Sequence, residues 1–308
     1  MIRQARNVGL LALVAALLLG SASLAGAAAP GPQPSDGTTA LAGANDWNCK
    51  PSAAHPRPVV LVHGLLATAA ENWSYVSPRL ASAGYCVFAL TYGERPDFPY
   101  IGGILPMEES AEELDTFVDR VLEATGATEV DLVGHSEGTV MPQWWLKFLG
   151  GAAVTNHYVA ITPIYQGTTL LGTDVLLEAA RNASPGVLPA FLRGLRLACG
   201  SCDSFVRDSD FLRTLYGDGV IAIPGVTYTT IMTKFDELVV PYTSGYLDSP
   251  AATNIVLQDV CPLDFSEHAA VAFDPVVMQM ILNVLDPSTA RAPSCGPLLG
   301  LRFGTLGL

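Results

Sequence analysis

Residues 128–133 form an apolar, β-rich run that stops at Gly134-His135-Ser136-Glu137-Gly138 and passes at once into a helical pattern over Thr139 to Leu149. Few sequence features restrict a fold so tightly. A strand that turns sharply into a helix at Gly-x-Ser-x-Gly holds its serine at the tip of a strained turn, and the flanking glycines let the two backbones pass closely enough to expose the hydroxyl. The motif alone would also fit an ordinary serine at a helix N-cap, but the flanks favour the strained turn. Pro142 falls in the first turns of the helix, where a missing N–H costs little. Ser136 is therefore the candidate nucleophile, of the kind that attacks an acyl carbon.

Around this turn the chain alternates strand-like and helical stretches, which predicts an α/β class protein with a mostly parallel, doubly wound sheet. Strands are expected over Pro58 to Val62, Cys86 to Tyr92, Tyr158 to Ile164, Val226 to Thr233 and Asn254 to Gln258. Helices are expected over Glu71 to Ala83, Met107 to Thr125 and His268 to Leu285. The alternation breaks around residues 165–220, where helix-like pieces (Thr173 to Arg181 and Pro189 to Ala198) mix with glycines and two cysteines. This reads as a cap-like insertion over the C-terminal edge of the sheet, where open α/β sheets bind ligands.

Residues 1–27 carry Arg3 and Arg6, an apolar core from Val8 to Leu19 and a small-residue end at Ala25-Gly26-Ala27, the pattern of a secretory signal peptide. The apolar core is shorter than the roughly 20 residues a bilayer span needs, so no stable membrane anchor is expected. Residues 28–45, rich in Ala, Gly, Pro and Ser, read as a flexible mature N-terminus, and residues 46–308 as one domain. The net charge of the whole chain is −13. Such a surface repels phosphate backbones, which excludes nucleic acid as a partner, and the expected form is a secreted monomer. Six cysteines in an exported chain imply disulfides. Loop length favours Cys199–Cys202 and Cys261–Cys295, leaving Cys49–Cys86. A metal at Cys199-x-x-Cys202 would lack a second ligand pair, so no metal is expected.

A serine hydroxyl needs a base, and a histidine is a dependable base when a carboxylate fixes its orientation. In folds built on this strand-to-helix turn the chain order is nucleophile, acid, histidine. After Ser136 only His157 and His268 remain. His157 opens a strand and reads as structural, whereas His268 follows the last strand through a loop, where the base is delivered. The acid belongs after the strand ending at Thr233: Asp236 is the choice, with Glu237 and Asp264 as alternatives. The developing oxyanion needs backbone donors. Glu137 supplies one, and Leu65, in Leu61-Val62-His63-Gly64-Leu65-Leu66, the other. The Glu137 side chain reads as an anion at a helix start, and His63 and His135 as hydrogen-bonded packing residues. Leu66, Trp144, Leu170, Val187 and Leu188 are candidates to line an acyl-chain pocket.

With these residues assembled, the chain resembles the class 2 lipases, secreted bacterial enzymes of the α/β-hydrolase fold that cleave acylglycerols. The similarity runs from about Pro58 to Pro287. It includes Met141-Pro142-Gln143-Trp144-Trp145, Ser209-Asp210-Phe211-Leu212, Phe235-Asp236-Glu237-Leu238-Val239-Val240-Pro241-Tyr242 and Cys261-Pro262-Leu263-Asp264-Phe265-Ser266-Glu267-His268. The resemblance implies a Ser136–Asp236–His268 triad, oxyanion amides at Leu65 and Glu137, no cofactor, and a lipid or other ester as substrate, met at a lipid–water interface. One departure is Glu137, where members of the family often carry glutamine or another neutral residue. A short-chain carboxylesterase or a polyester hydrolase would use the same residues. Transfer of the acyl group to an alcohol is a further alternative. A non-enzymatic exported binding protein is the remote one, and it would need a broken triad.

Overall fold

Val59, Val60, Leu61 and Val62 are all fully buried, and so are Val87 to Leu90 nearly throughout. Strands with no polar alternation belong to a sheet covered on both faces. The sheet has six parallel strands: β1 (Val59–Val62), β2 (Val87–Leu90), β3 (Val130–His135), β4 (Thr155–Ile161), β5 (Thr227–Met232) and β6 (Ala252–Val256). Their spatial order is β2-β1-β3-β4-β5-β6. The structure, a computed structural model, describes residues 41–169 and 187–296. The expected signal peptide over residues 1–27, most of the expected flexible N-terminus, Leu170 and the helix expected over Thr173 to Arg181 lie outside these residues.

Period-two alternation sends Val60, Val62 and Phe88 into one core and Val59, Leu61 and Val87 into the other. Helices α1 (Ala69–Trp73) and α2 (Val76–Ser82) cover the second face, and α3 (Met107–Thr125) and α4 (Glu137–Phe148) the first. Beyond β4 come α5 (Val187–Ala198) and α6 (Asp210–Tyr216) in the insertion, then α7 (Leu257–Val260) after β6 and the closing α8 (Pro275–Leu285). Leu114, Val118 and Val121 lie on one buried stripe of α3, as their spacing predicts.

Two expected helices are corrected. The stretch Glu71 to Ala83 is split at Ser74 and Tyr75, because Pro78 has no N–H to return to the Ser74 carbonyl. The first piece starts earlier than expected, at Ala69, behind a capping box between Thr68 and Glu71. The last helix begins only at Pro275, with Asp274 as its N-cap accepting from Val276 N at 2.6 Å. His268 therefore lies on a loop and not on a helix. The strand expected over Tyr158 to Ile164 ends at Ile161, where Thr162 takes φ 46° and Pro163 cannot continue a ladder.

Three disulfides join Cys49 to Cys86, Cys199 to Cys202 and Cys261 to Cys295. No helix among the described residues is long and apolar enough to cross a membrane.

Candidate active site

The strand order reverses direction between β1 and β3: the chain builds outward to β2 on one side and to β4, β5 and β6 on the other. A crevice opens outside the carboxyl ends of the strands at such a point. Val62 pairs with Gly134 in the register, so the loop after β1 and the turn after β3 are neighbours there.

Ser136 sits between β3 and α4 with φ 54° and ψ −120°. An L-residue held there stores on the order of 1–3 kcal/mol of backbone strain, which the surroundings must enforce. They do so by contact: a Cβ on Gly134 would lie 1.9 Å from the Gly138 carbonyl oxygen, and one on Gly138 would lie 2.1 Å from that of Val62. Neither position has room for any side chain. Ser136 N donates to Ile161 O at 3.0 Å, fixing the turn to β4.

On the far side of the crevice, His268 Nδ1 lies 2.9 and 3.0 Å from the two carboxylate oxygens of Asp236, both side chains being almost fully buried. Asp236 Oδ1 also accepts from Leu238 N and Val239 N at 3.0 and 2.7 Å, so the carboxylate is aimed by its own loop. Glu237 meets the backbone: its Oε2 accepts from His268 N at 3.2 Å. Asp264 accepts from Ser266 N and makes no described contact with the ring. Gln258, which the sequence reading passed over, joins the two loops. Its side chain accepts from Lys234 N at 2.8 Å and donates to Thr233 Oγ1 and Asp264 O at 2.9 and 3.0 Å.

At the oxyanion side, Leu66 N donates to Gly102 O and Ala67 N to Gly64 O. Among the described residues no hydrogen bond uses the Leu65 or Glu137 N–H, and the latter opens α4, where the helix dipole favours negative charge. Leu66 takes φ 61°, another left-handed position at the crevice.

A family model described as lipase (class 2) matches residues 56–281. The chain belongs to the class 2 lipases. It is 38% identical to a triacylglycerol lipase of Pseudarthrobacter phenanthrenivorans and 34% to one of Burkholderia plantarii, each over 155 residues and 46% of this chain. Those stretches are 44% and 39% of the relatives' own lengths, so the match spans less than half of each. Among solved structures, Aspergillus fumigatus lipase B is similar with a TM-score of 0.59 at 21% identity, covering 84% of this chain and 57% of that one. The mature lipase of Bacillus licheniformis gives 0.52 at 16% identity, covering 77% of this chain and 94% of that one. These likenesses establish the fold, an α/β-hydrolase with a parallel sheet.

Ser136 and His268 line one cavity of about 350 Å³. Leu65 and Leu66 border it, as do Ile164, Phe205, Leu238 and Phe273. The ring of Trp144, another expected pocket residue, stacks on Phe211 at 5.3 Å and packs on Phe148 at 4.6 Å, because its place on α4 turns it toward α6, and it is not among the residues described as lining this cavity. Val187 and Leu188 open α5, and Leu170 lies outside the described residues. Phe273 and Ala269 follow His268 closely, and Leu238 follows Asp236. Their nearness to the catalytic candidates was the signal that could have found them.

Burial also shifts the titration of the histidines and the glutamate around the turn. His63 is held down to about 4 and His135 to about 3, in both cases because burial opposes the cation. His63 Nδ1 donates to Gly64 O at 2.8 Å and its Nε2 accepts from Tyr92 N at 3.2 Å. His135 Nε2 lies 2.9 Å from His268 O, tying the turn to the histidine loop. His157 meets Thr229 Oγ1 at 3.0 Å. Glu137 differs most from its sequence reading. It is fully buried, neither carboxyl oxygen has a partner among the described residues, and burial pushes its pKa well above the carboxylate range. Among the described residues no cluster of three His, Cys, Asp or Glu could hold a metal ion.

Proposed function

We propose that the protein is a secreted serine ester hydrolase acting on acylglycerols, a triacylglycerol lipase. The observation that carries this reading is the contact of His268 Nδ1 with Asp236, on a ring that shares a largely apolar cavity with the strained Ser136. Asp236 holds the imidazole with Nδ1 protonated, so that Nε2 accepts the Ser136 proton as Oγ attacks the acyl carbon. The backbone N–H groups of Leu65 and Glu137 receive the oxyanion. His268 then protonates the leaving alcohol, and water, activated by the same ring, releases the fatty acid from Ser136. The curated relatives named triacylglycerol lipase support the substrate class. So do the exposed Leu66, Phe235, Leu263 and Phe265, which give the loops at this edge of the sheet an apolar rim suited to a lipid surface. Three disulfides and the leader-like residues 1–27 support export, with the mature chain acting as a monomer through one domain over residues 46–308.

Hydrolysis of p-nitrophenyl esters of increasing chain length and of emulsified triolein, by the mature protein beside its Ser136→Ala variant, tests this reading. Ser136-dependent release of fatty acid from triolein is the expected result. Turnover confined to short soluble esters would make the protein a carboxylesterase, and no Ser136-dependent turnover would refute the hydrolase reading.

A further inference from the structure

The cap segment reaches the oxyanion side of the site through a chain of backbone contacts. Directly after α5, the Cys199–Cys202 disulfide closes a tight loop whose inner residues meet the segment Gly103 to Pro106. Ser201 is fully buried, and its Oγ donates to Gly103 O at 2.6 Å. Gly200 N donates to Ile104 O at 2.7 Å. The loop thus grips two successive carbonyls of the 102–104 segment.

That segment is itself wedged against the candidate oxyanion hole. Gly102 exchanges hydrogen bonds with the loop after β1: Leu66 N donates to Gly102 O at 3.0 Å and Gly102 N to Ala67 O at 3.1 Å. Gly103 N donates to Tyr92 O at 2.8 Å. Gly103 has φ 74°, and a Cβ there would lie 2.8 Å from Glu137 Oε2 and 3.2 Å from Leu65 Cα. Gly103 therefore touches both residues whose N–H groups would bind the oxyanion. Its own carbonyl is held by Ser201.

We propose that the disulfide-closed loop is a positioning element of the oxyanion site, in which Ser201 acts through Gly103 to fix the backbone of Leu65. Ser201 touches no substrate, so it is a positioning residue. The proposal rests on the hydrolase reading above and adds that the cap serves the chemical step as well as substrate fit. A hydrogen bond that holds a donor in place matters most when the oxyanion forms, so its loss falls on kcat and on tetrahedral mimics more than on ground-state binding.

The test compares wild type, Ser201→Ala, Ser201→Thr and Arg196→Ala. Arg196 pairs with Asp203 beside the same loop without reaching Gly103. Three quantities are measured: kcat on p-nitrophenyl butyrate, inhibition by octylboronic acid, which forms a tetrahedral adduct on the Ser136 oxygen, and inhibition by octanol, which fills the apolar cavity only. Ser201→Ala is expected to lose about tenfold in kcat and in boronate affinity, with octanol affinity unchanged. Ser201→Thr recovers most of the loss, and Arg196→Ala shows none. Wild-type boronate affinity in Ser201→Ala, or an equal loss in Arg196→Ala, would overturn the proposal. If Ser201→Ala does not fold, the double variant Cys199→Ala with Cys202→Ala reads the same contact, and wild-type boronate affinity there would overturn it equally. Ser136-dependent turnover by the wild type is established first, so that failure of the hydrolase reading is seen separately from failure of this one.

Discussion

Two regions meet at the cavity and are built on opposite principles. The turn carrying Ser136 is almost wholly buried, and its geometry is set by backbones packed too closely to admit a side chain. The cap segment from α5 to Phe205 leaves Leu197 71% exposed, pairs Arg196 with Asp203 at its surface and carries a disulfide three residues in span. Ser136 and the Asp236–His268 pair thus sit on loops anchored to the carboxyl edge of the packed sheet. Walls such as Phe205 can change without moving that turn, whereas the Cys199–Cys202 loop of the same segment reaches it through Gly103.

The comparison breaks or sharpens under a graded series of changes. The largest effect is expected at the sheet edge. Ser136→Ala should abolish nearly all turnover, and Asp236→Asn should lower kcat by about 10³–10⁴ while far-UV and near-UV circular dichroism stay native. If Glu237→Gln proved the more damaging of the two acid variants, the carboxylate assignment would be wrong. Next, Gln258→Ala should lower kcat by about tenfold with little change in KM, because it loosens the acid loop from the histidine loop. An unchanged kcat would show that the two loops hold their own positions.

On the cap side, Phe205→Ala should move KM and the preferred acyl length by a few-fold and leave kcat on short esters nearly intact. A collapse of kcat instead would erase the distinction between the two regions. The smallest effect is thermodynamic. The folded chain keeps a proton on Glu137 that the unfolded chain releases once pH exceeds the ordinary glutamate range, so this group favours unfolding increasingly as pH rises. Glu137→Gln carries no such proton. Its melting temperature should exceed that of the wild type by more at pH 8 than at pH 5, and a constant difference would mean that the carboxyl is ionised in the fold.

What could be read from the sequence was what depends on neighbours along the chain. The strand-to-helix turn at Ser136, the stripe on α3 and the loop that sets Asp236 beside His268 follow local or sequential patterns, and each strand overlaps the apolar run that predicted it, with β4 and β6 displaced toward the N-terminus by two or three residues. The split at Pro78 and the late start at Pro275 were visible as prolines but lost to the apolar periodicity around them. Trp144 and Glu137 show the other limit. Both lie on α4, and which way each points is decided by what packs there from α6 and from Gly103, segments distant in sequence. The same holds for Phe205 and Ile164 in the cavity.

The Cys49–Cys86 bridge has a bearing on how the protein is made. It encloses β1, the loop bearing Leu65, and both α1 and α2 within a separation of 37 residues. In the chain-entropy account, closing a loop of that size stabilises the fold by about 4 kcal/mol. Production in a reducing cytosol would forgo that constraint on the strand that begins the sheet. Yield of active protein should then follow the redox state of the expression compartment more closely than the level of synthesis.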